Sequence, residues 1–145
     1  MSKRTSIVKA LVQKLNLING QQPYRVNLFK NCYAKLKFWD EVKDFPSMFV
    51  TPTNEIREYL PGDFKWGFLT LCIRVYCHGE NSSEQLEKLL EDVETCIDAN
   101  NRLVYNTATG HYTTDILIQS ITTDEGLLAP YAVGEIILQV RYEIM

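Results

Sequence analysis

The amino-acid sequence predicts an α+β fold: a single domain over residues 1–145, with an antiparallel or mixed β-sheet and two main helices packed on one of its faces. Three observations carry that expectation. Two segments, 5–18 and 83–100, place apolar residues at helical spacing, and two others, 66–77 and 136–144, alternate side chains over long stretches. No repeated strand-helix-strand rhythm of a parallel sheet lies between them. A chain of about this length buries roughly 68–70% of the surface its unfolded form exposes, so it needs neither disulfide nor metal to fold. With 46% apolar and 23% charged residues, the composition is that of an ordinary globular protein and not of a disordered one.

Each element has its own signal. In 5–18, Ile7, Leu11, Leu15 and Ile18 form an apolar stripe widened by Val8 and Val12, and Asn19-Gly20 is read as the stop. Residues 29–37 read as an extended arm or edge strand whose lysines blunt a free edge. Pro46 ends any helix around 38–43, because the residue before proline avoids helical geometry. A short strand at 48–51 closed by Pro52 and a second at 54–60 lead to a turn at Pro61-Gly62-Asp63. In 66–77, Leu69, Leu71, Ile73, Val75 and Cys77 face one way and Phe68, Thr70, Cys72, Arg74 and Tyr76 the other. Ser82 and Gln85 make a capping box for the helix at 83–100, whose core stripe is Leu86, Leu89, Leu90, Val93 and Ile97. Strands at 103–105 and 113–122 flank a turn at Thr109-Gly110. A loop over 124–134 then precedes a last strand with Ile136, Leu138, Val140, Tyr142 and Ile144 on one face.

Charge and motifs exclude more than they include. No stretch reaches the roughly 18 consecutive apolar residues of a spanning helix, since Thr70 and Arg74 break the longest run, so no membrane partner is expected. Lys9 and Lys14 interrupt any signal-peptide core, which predicts a chain that starts in a reducing cytoplasm with Cys32, Cys72, Cys77 and Cys96 as buried free thiols. His78 and His111 are the only histidines. Cys72 and Cys77 lie an odd number of residues apart on a strand and so diverge, which argues against a metal site. Nucleophile-elbow and phosphate-loop motifs are missing, and the acidic pairs Asp40-Glu41, Glu91-Asp92 and Asp124-Glu125 read as solvated charges. No cofactor, metal or catalytic residue is expected; an enzyme would need a site assembled from distant residues. The net charge of −3 hides an asymmetry. Residues 1–45 hold nine Lys or Arg against three acids, and the remainder six against fifteen. Basic residues among aromatics are one mark of a nucleic-acid-binding module, although the sequence pI near 5.4 opposes it. A basic face of one subunit meeting an acidic face of the next is a second reading, and neutralisation within one subunit, the commonest outcome, is a third.

A set of apolar and aromatic residues exceeds what the core needs: Phe68, Tyr76 and Ile137 on the second face of the strands, and Phe29, Tyr33, Phe38, Trp39 and Tyr131 in arms and loops. Their order along the chain is suggestive. A helix and an arm precede Asp44-Phe45-Pro46-Ser47-Met48-Phe49-Val50. Trp66-Gly67 then leads into Leu69-Thr70-Leu71-Cys72-Ile73-Arg74-Val75-Tyr76, an acidic helix follows, and Thr123-Asp124-Glu125-Gly126 with Pro130 precedes a strand ending Val140-Arg141-Tyr142. From about residue 5 to 145 this succession resembles the tail terminator proteins of long-tailed, lambda-like bacteriophages. The resemblance implies a non-catalytic virion protein at the head-proximal end of the tail, assembled in the host cytoplasm. Its partners would be copies of itself in a hexameric ring, the tail tube protein and the head-completion or connector protein, with DNA passing through the channel unread. A neck or tail-completion protein one position nearer the head is the alternative. Subunit contacts are expected on Phe29, Tyr33, Phe38 and Trp39 of the arm, on Arg74, Tyr76, Ile137 and Arg141 of the outer strand face, and at Tyr131. Axial contacts are expected from loops at 54–65 and 124–134.

Overall fold

The computed structural model describes residues 1–144. Helix α1 (Lys3–Leu15) is followed by β1 (Cys32–Tyr33), β2 (Ser47–Leu60), β3 (Phe64–His78), α2 (Ser82–Ala99), β4 (Val104–Asn106), β5 (His111–Tyr112), β6 (Asp115–Thr123) and β7 (Tyr131–Glu143). Five strands form a mixed sheet in the order β1-β2-β3-β7-β6, antiparallel except for the parallel β1–β2 pair, and β4 and β5 form a small second sheet. This is the α+β arrangement expected from the sequence.

One apolar cluster joins both helices to one face of the sheet. Ile7, Leu11 and Leu15 of α1 and Leu86, Leu89, Val93 and Ile97 of α2 pack with Met48, Val50, Leu69, Leu71, Ile73, Val75, Ile136, Leu138 and Val140, all essentially inaccessible to water. The helical and alternating patterns therefore point where the sequence says, because burying these stripes is the main stabilising term. α1 lies over β1 and β2, and α2 over β3, β7 and β6. Gly134 lets α2 approach: a Cβ there would stand 3.0 Å from a Leu86 methyl and 3.2 Å from one of Leu90. Gly67 does the same for Tyr142, whose ring would meet a Cβ at 2.6 Å.

Local boundaries differ from the expectations where a tertiary contact outweighs a local signal. α1 ends at Leu15, with Asn16 as its C-cap, because Asn16 instead exchanges hydrogen bonds with the Cys32 backbone (3.0 and 3.2 Å) and ties the helix end to β1. The arm at 29–37 contributes only the two residues of β1, and within 38–43 only 39–41 form a turn, closed by the Glu41 N–H donating to the Phe38 carbonyl. The two strands expected at 48–51 and 54–60 are one, β2, with a bulge between Pro52 and Asn54. Proline is tolerated there because β2 is a sheet edge along that stretch. Ser82 is the first residue of α2 rather than its cap; Asn81 holds the cap position without a side-chain bond, so there is no capping box. The segment 54–65 is hairpin rather than loop, turning only at 61–63, where Gly62 and Asp63 take positive φ. The loop expected at 124–134 shrinks to 124–130.

Two acids read as solvated are structural. Asp92 is 2% exposed, and its carboxylate accepts from the backbone N–H of Arg25 (3.0 and 3.1 Å) and Val26 (2.8 Å), fastening the loop after α1 to α2. Asp124 accepts from the N–H of Leu128 and Val133 and shapes the turn before β7.

Candidate functional site

The face of the sheet opposite the helices is the surface on which most of the singled-out residues converge. Register arranges it in rows across β2, β3, β7 and β6: Ile56, Phe68, Arg141 and Asp115; Asn54, Thr70, Gln139 and Leu117; Cys72, Ile137 and Ser120; Phe49, Arg74, Glu135 and Thr122; Ser47, Tyr76 and Val133. Because partners directly opposite in a ladder point to the same side, each row is a line of adjacent side chains.

Residues 33–46 cover the end of this face that holds the last two rows. Tyr33 and Tyr76 both lie against Phe49, at 5.7 and 5.6 Å between ring centroids, and the Tyr76 hydroxyl donates to the Lys37 carbonyl at 2.6 Å. Trp39 and Phe45 close on Tyr131 (5.0 and 5.8 Å), with His78 4.6 Å from the same ring. Tyr76 is consequently only 2% exposed. This corrects its reading as a surplus surface residue: the arm of its own subunit already covers it. Tyr33 and Phe38 remain exposed on the arm, while Trp39 and Tyr131 are half-buried against each other. Phe29 stands apart from this face. It is 65% exposed, takes a left-handed backbone together with Lys30, and borders a depression with His78 and the start of α2.

The other end is bare. Ile56 and Leu117 are more than half exposed, and Phe68 and Ile137 half-buried. Arg141 lies over the Trp66 ring at 4.3 Å, its buried Nε without a hydrogen-bond partner, and Arg74 reaches Glu135 at 3.9 Å and the Thr51 hydroxyl at 3.5 Å. Sequence reasoning missed the two open edges that flank this face. Among the described residues, β2 beyond Phe49 has no strand on its outer side, and β6 pairs only with β7. Ile56, Tyr59 and Leu60 lie on one edge strand and Leu117 and Ile121 on the other, all exposed. Alternation reveals a strand; it carries no information on which strand stands at the edge.

The reactive side chains are held in inert surroundings. All four cysteines are buried free thiols. Burial, with Cys96 adding to it, pushes the Cys32 thiol up to about 12; burial alone takes Cys77 to about 12, and burial partly offset by Arg74 takes Cys72 to about 11. His78 is packed between Phe45 and Tyr131, and His111 Nδ1 is 2.8 Å from the Thr109 hydroxyl. Among the described residues no histidine bonds a thiol, and no cluster of three metal-ligating side chains occurs. No helix is long and apolar enough to cross a membrane.

Comparison with known proteins gives the same direction. The profile of the family described as Bacteriophage Tail Tube Terminator Protein matches residues 1–145. The chain is 39% identical over 153 aligned residues to the tail tube terminator protein of Escherichia phage T5, covering 99% of this chain and 95% of that one. A chain in the virion of a native gene transfer agent particle superposes with a TM-score of 0.64 at 10% identity, over 97% of this chain and 96% of the other, a likeness of fold alone.

Proposed function

From the premise that this chain belongs to the bacteriophage tail tube terminator family, and so is a structural protein of the virion tail, we propose that its copies close into a hexameric ring that caps the tail tube. The observation that carries this reading is the pair of unlike open edges, β2 and β6, on opposite sides of one sheet. A contact between like edges is two-fold and ends at a dimer. An edge of β2 against an edge of β6 is heterologous, repeats, and closes when the rotation between neighbours divides the circle. Such closure also covers strands that would otherwise template uncontrolled pairing.

Termination follows from asymmetry along the ring axis. One side complements the end of the tube; the opposite side does not reproduce it, so no further tube subunit adds. That opposite side receives the head-completion or connector protein, at the head-proximal end of the tail, and DNA crosses the channel without being read. Assembly takes place in the host cytoplasm, and the reading assigns the chain no catalytic step.

Negative-stain microscopy and mass photometry of the purified protein, alone and with growing tail tubes, test the proposal. The expected result is a ring on tube ends and an arrest of elongation. A chain that stays monomeric beside tubes and leaves their growth unchanged overturns it.

A further inference from the structure

We infer that, at each junction of the ring, the last turns of α2 on one copy dock through Glu94 and Asp98 on the arginine pair Arg4 and Arg57 at the β2 edge of the next. The inference rests on the ring reading and adds to it the side chains that meet across the junction. Both surfaces lie on the helix side of the sheet, each beside one of the two open edges. α1 packs over β1 and β2, and α2 over β3, β7 and β6. When β6 meets β2 of the next copy, α2 of the first therefore stands beside α1 of the second. Their charges are opposite. α1 holds Lys3, Arg4, Lys9 and Lys14 and no acid, whereas α2 holds six acids against Lys88 alone.

The basic surface is built around Glu55. Glu55 and Arg57 stand opposite Leu69 and Gly67 in the β2–β3 ladder, on the side that carries the core. One oxygen of the Glu55 carboxylate accepts from the Tyr142 hydroxyl, and the other from Arg57 Nε (2.9 Å) and from Arg4 of α1 (3.2 Å). One anion between two guanidinium groups leaves a net positive charge. The Glu55 side chain is 8% exposed, while those of Arg4 and Arg57 are 47% and 40% exposed. An incoming group therefore meets guanidinium, with Glu55 beneath it and both its oxygens occupied. A carboxylate is the protein group whose geometry fits a guanidinium fork.

The acidic surface is the flank of α2 turned away from its own α1. Asp92 marks the inward flank, because it binds the backbone N–H groups of Arg25 and Val26 in the loop after α1. At about 3.6 residues per turn, Glu87, Glu94 and Asp98 lie roughly 120–160° round the helix from Asp92. They occupy the opposite flank, toward β6. None of the three makes an ion pair among the described residues. Asp98 also sits in the last turn, where the helix dipole is negative and no basic residue compensates. An external cation relieves both conditions.

The two surfaces stand at the same height on the sheet. In the amide orientation that satisfies its hydrogen bonds, Asn101 donates to the carbonyls of Ile97 (3.0 Å) and Ile116 (3.1 Å), which fixes the end of α2 on β6. Ile116 belongs to the row Ile116, Val140, Leu69 and Glu55 that crosses the sheet from one open edge to the other. Edge pairing that continues the rows brings the last turns of α2, with Glu94 and Asp98, beside Glu55 and its two arginines on the next copy. At the next rung on this side it sets Ile118 against Pro52, so an apolar contact adjoins the charged one.

Zero-length carbodiimide cross-linking tests the contact directly. Arg57→Lys keeps the charge and supplies an amine. In rings of this variant on tail tubes, made from mixed light and ¹⁵N-labelled protein, links from position 57 to Glu94 or Asp98 between light and heavy copies are expected. Links from position 57 only to the tube or connector protein, or none to α2, overturn the proposal. Charge reversal gives a second readout, which decides the matter where Arg57→Lys forms no rings. E94K/D98K is expected to lower the ring population at least roughly tenfold, since juxtaposed like charges oppose docking. Its melting temperature is expected not to fall, because neither acid pairs within the subunit. An equimolar mixture of E94K/D98K with Arg57→Glu restores rings, since in an alternating ring every junction again pairs opposite signs. Normal rings from E94K/D98K overturn the contact and leave the ring reading intact; wild-type protein that forms no ring on tubes overturns both.

Discussion

At the scale of single residues, environment decides which polar groups hold the fold and which are inert. Glu55 lies beside Arg4, Arg57 and Tyr142, its side chain 8% exposed. Burial alone would raise its pKa, but hydrogen bonds from Tyr142 and Arg57 and the charges of both arginines outweigh it, leaving the carboxyl below its ordinary value. A carboxyl depressed on folding contributes stability that is complete above its unfolded value, about 4.3, and lost as pH falls through the folded value. Glu55→Gln is therefore expected to lower the melting temperature at neutral pH and to flatten the acid limb of a stability-pH curve. A limb of unchanged slope counts against the role of Glu55. The cysteines make the opposite point. A thiol with a pKa near 12 is ionised in about one molecule in ten thousand at pH 8, so a thiol-specific chromogenic reagent at that pH is expected to label Cys32 and Cys77 only after unfolding. Rapid labelling of the native protein would contradict their burial.

At the scale of elements, the arm is the piece whose role depends on contacts far along the chain. Its docking uses the Tyr76 hydroxyl on the Lys37 carbonyl, so Tyr76→Phe removes about 1 kcal/mol and is expected to speed amide exchange in residues 33–45 while leaving β3 and β7 protected. Uniform acceleration would mean that the arm and sheet unfold together. Packing of α2 depends on Gly134, and Gly134→Val is expected to cost about 1–3 kcal/mol through overpacking against Leu86 and Leu90, measured by denaturant titration. Much of this level was legible in the sequence. The alternation of Leu69 to Cys77 and of Ile136 to Tyr142 was readable because one face of each strand meets only apolar side chains. The apolar stripe of α2 was readable for the same reason. Other features were not. Pro52 reads as a strand end because periodicity cannot see that β2 lies at an edge. Asp92 reads as solvated because the amides it binds belong to residues 25 and 26. Tyr76 reads as surplus because its cover comes from a segment nearly forty residues earlier. The candidate surface was legible as a list of apolar residues; its division into a covered end and a bare end, with open edges beside it, depends on strand order.

At the scale of the whole molecule, the subunit presents two open strand edges and a sheet face that its own arm covers only at one end. Leu117 lies on the open β6 edge strand and is 53% exposed, so Leu117→Lys is expected to change folding stability by less than about 0.5 kcal/mol. A lysine on an edge opposes pairing with another strand, and the ring population on tail tubes is expected to fall severalfold. Intact rings from this variant would move the subunit junction away from β6. The bare end of the sheet has one more consequence. Water now wets Ile56, Phe68, Ile137 and Leu117 on one side of strands whose other side is dry. Expelling that water on association gives the reaction a negative heat-capacity change, so calorimetric enthalpies of assembly should become more exothermic with each degree of warming.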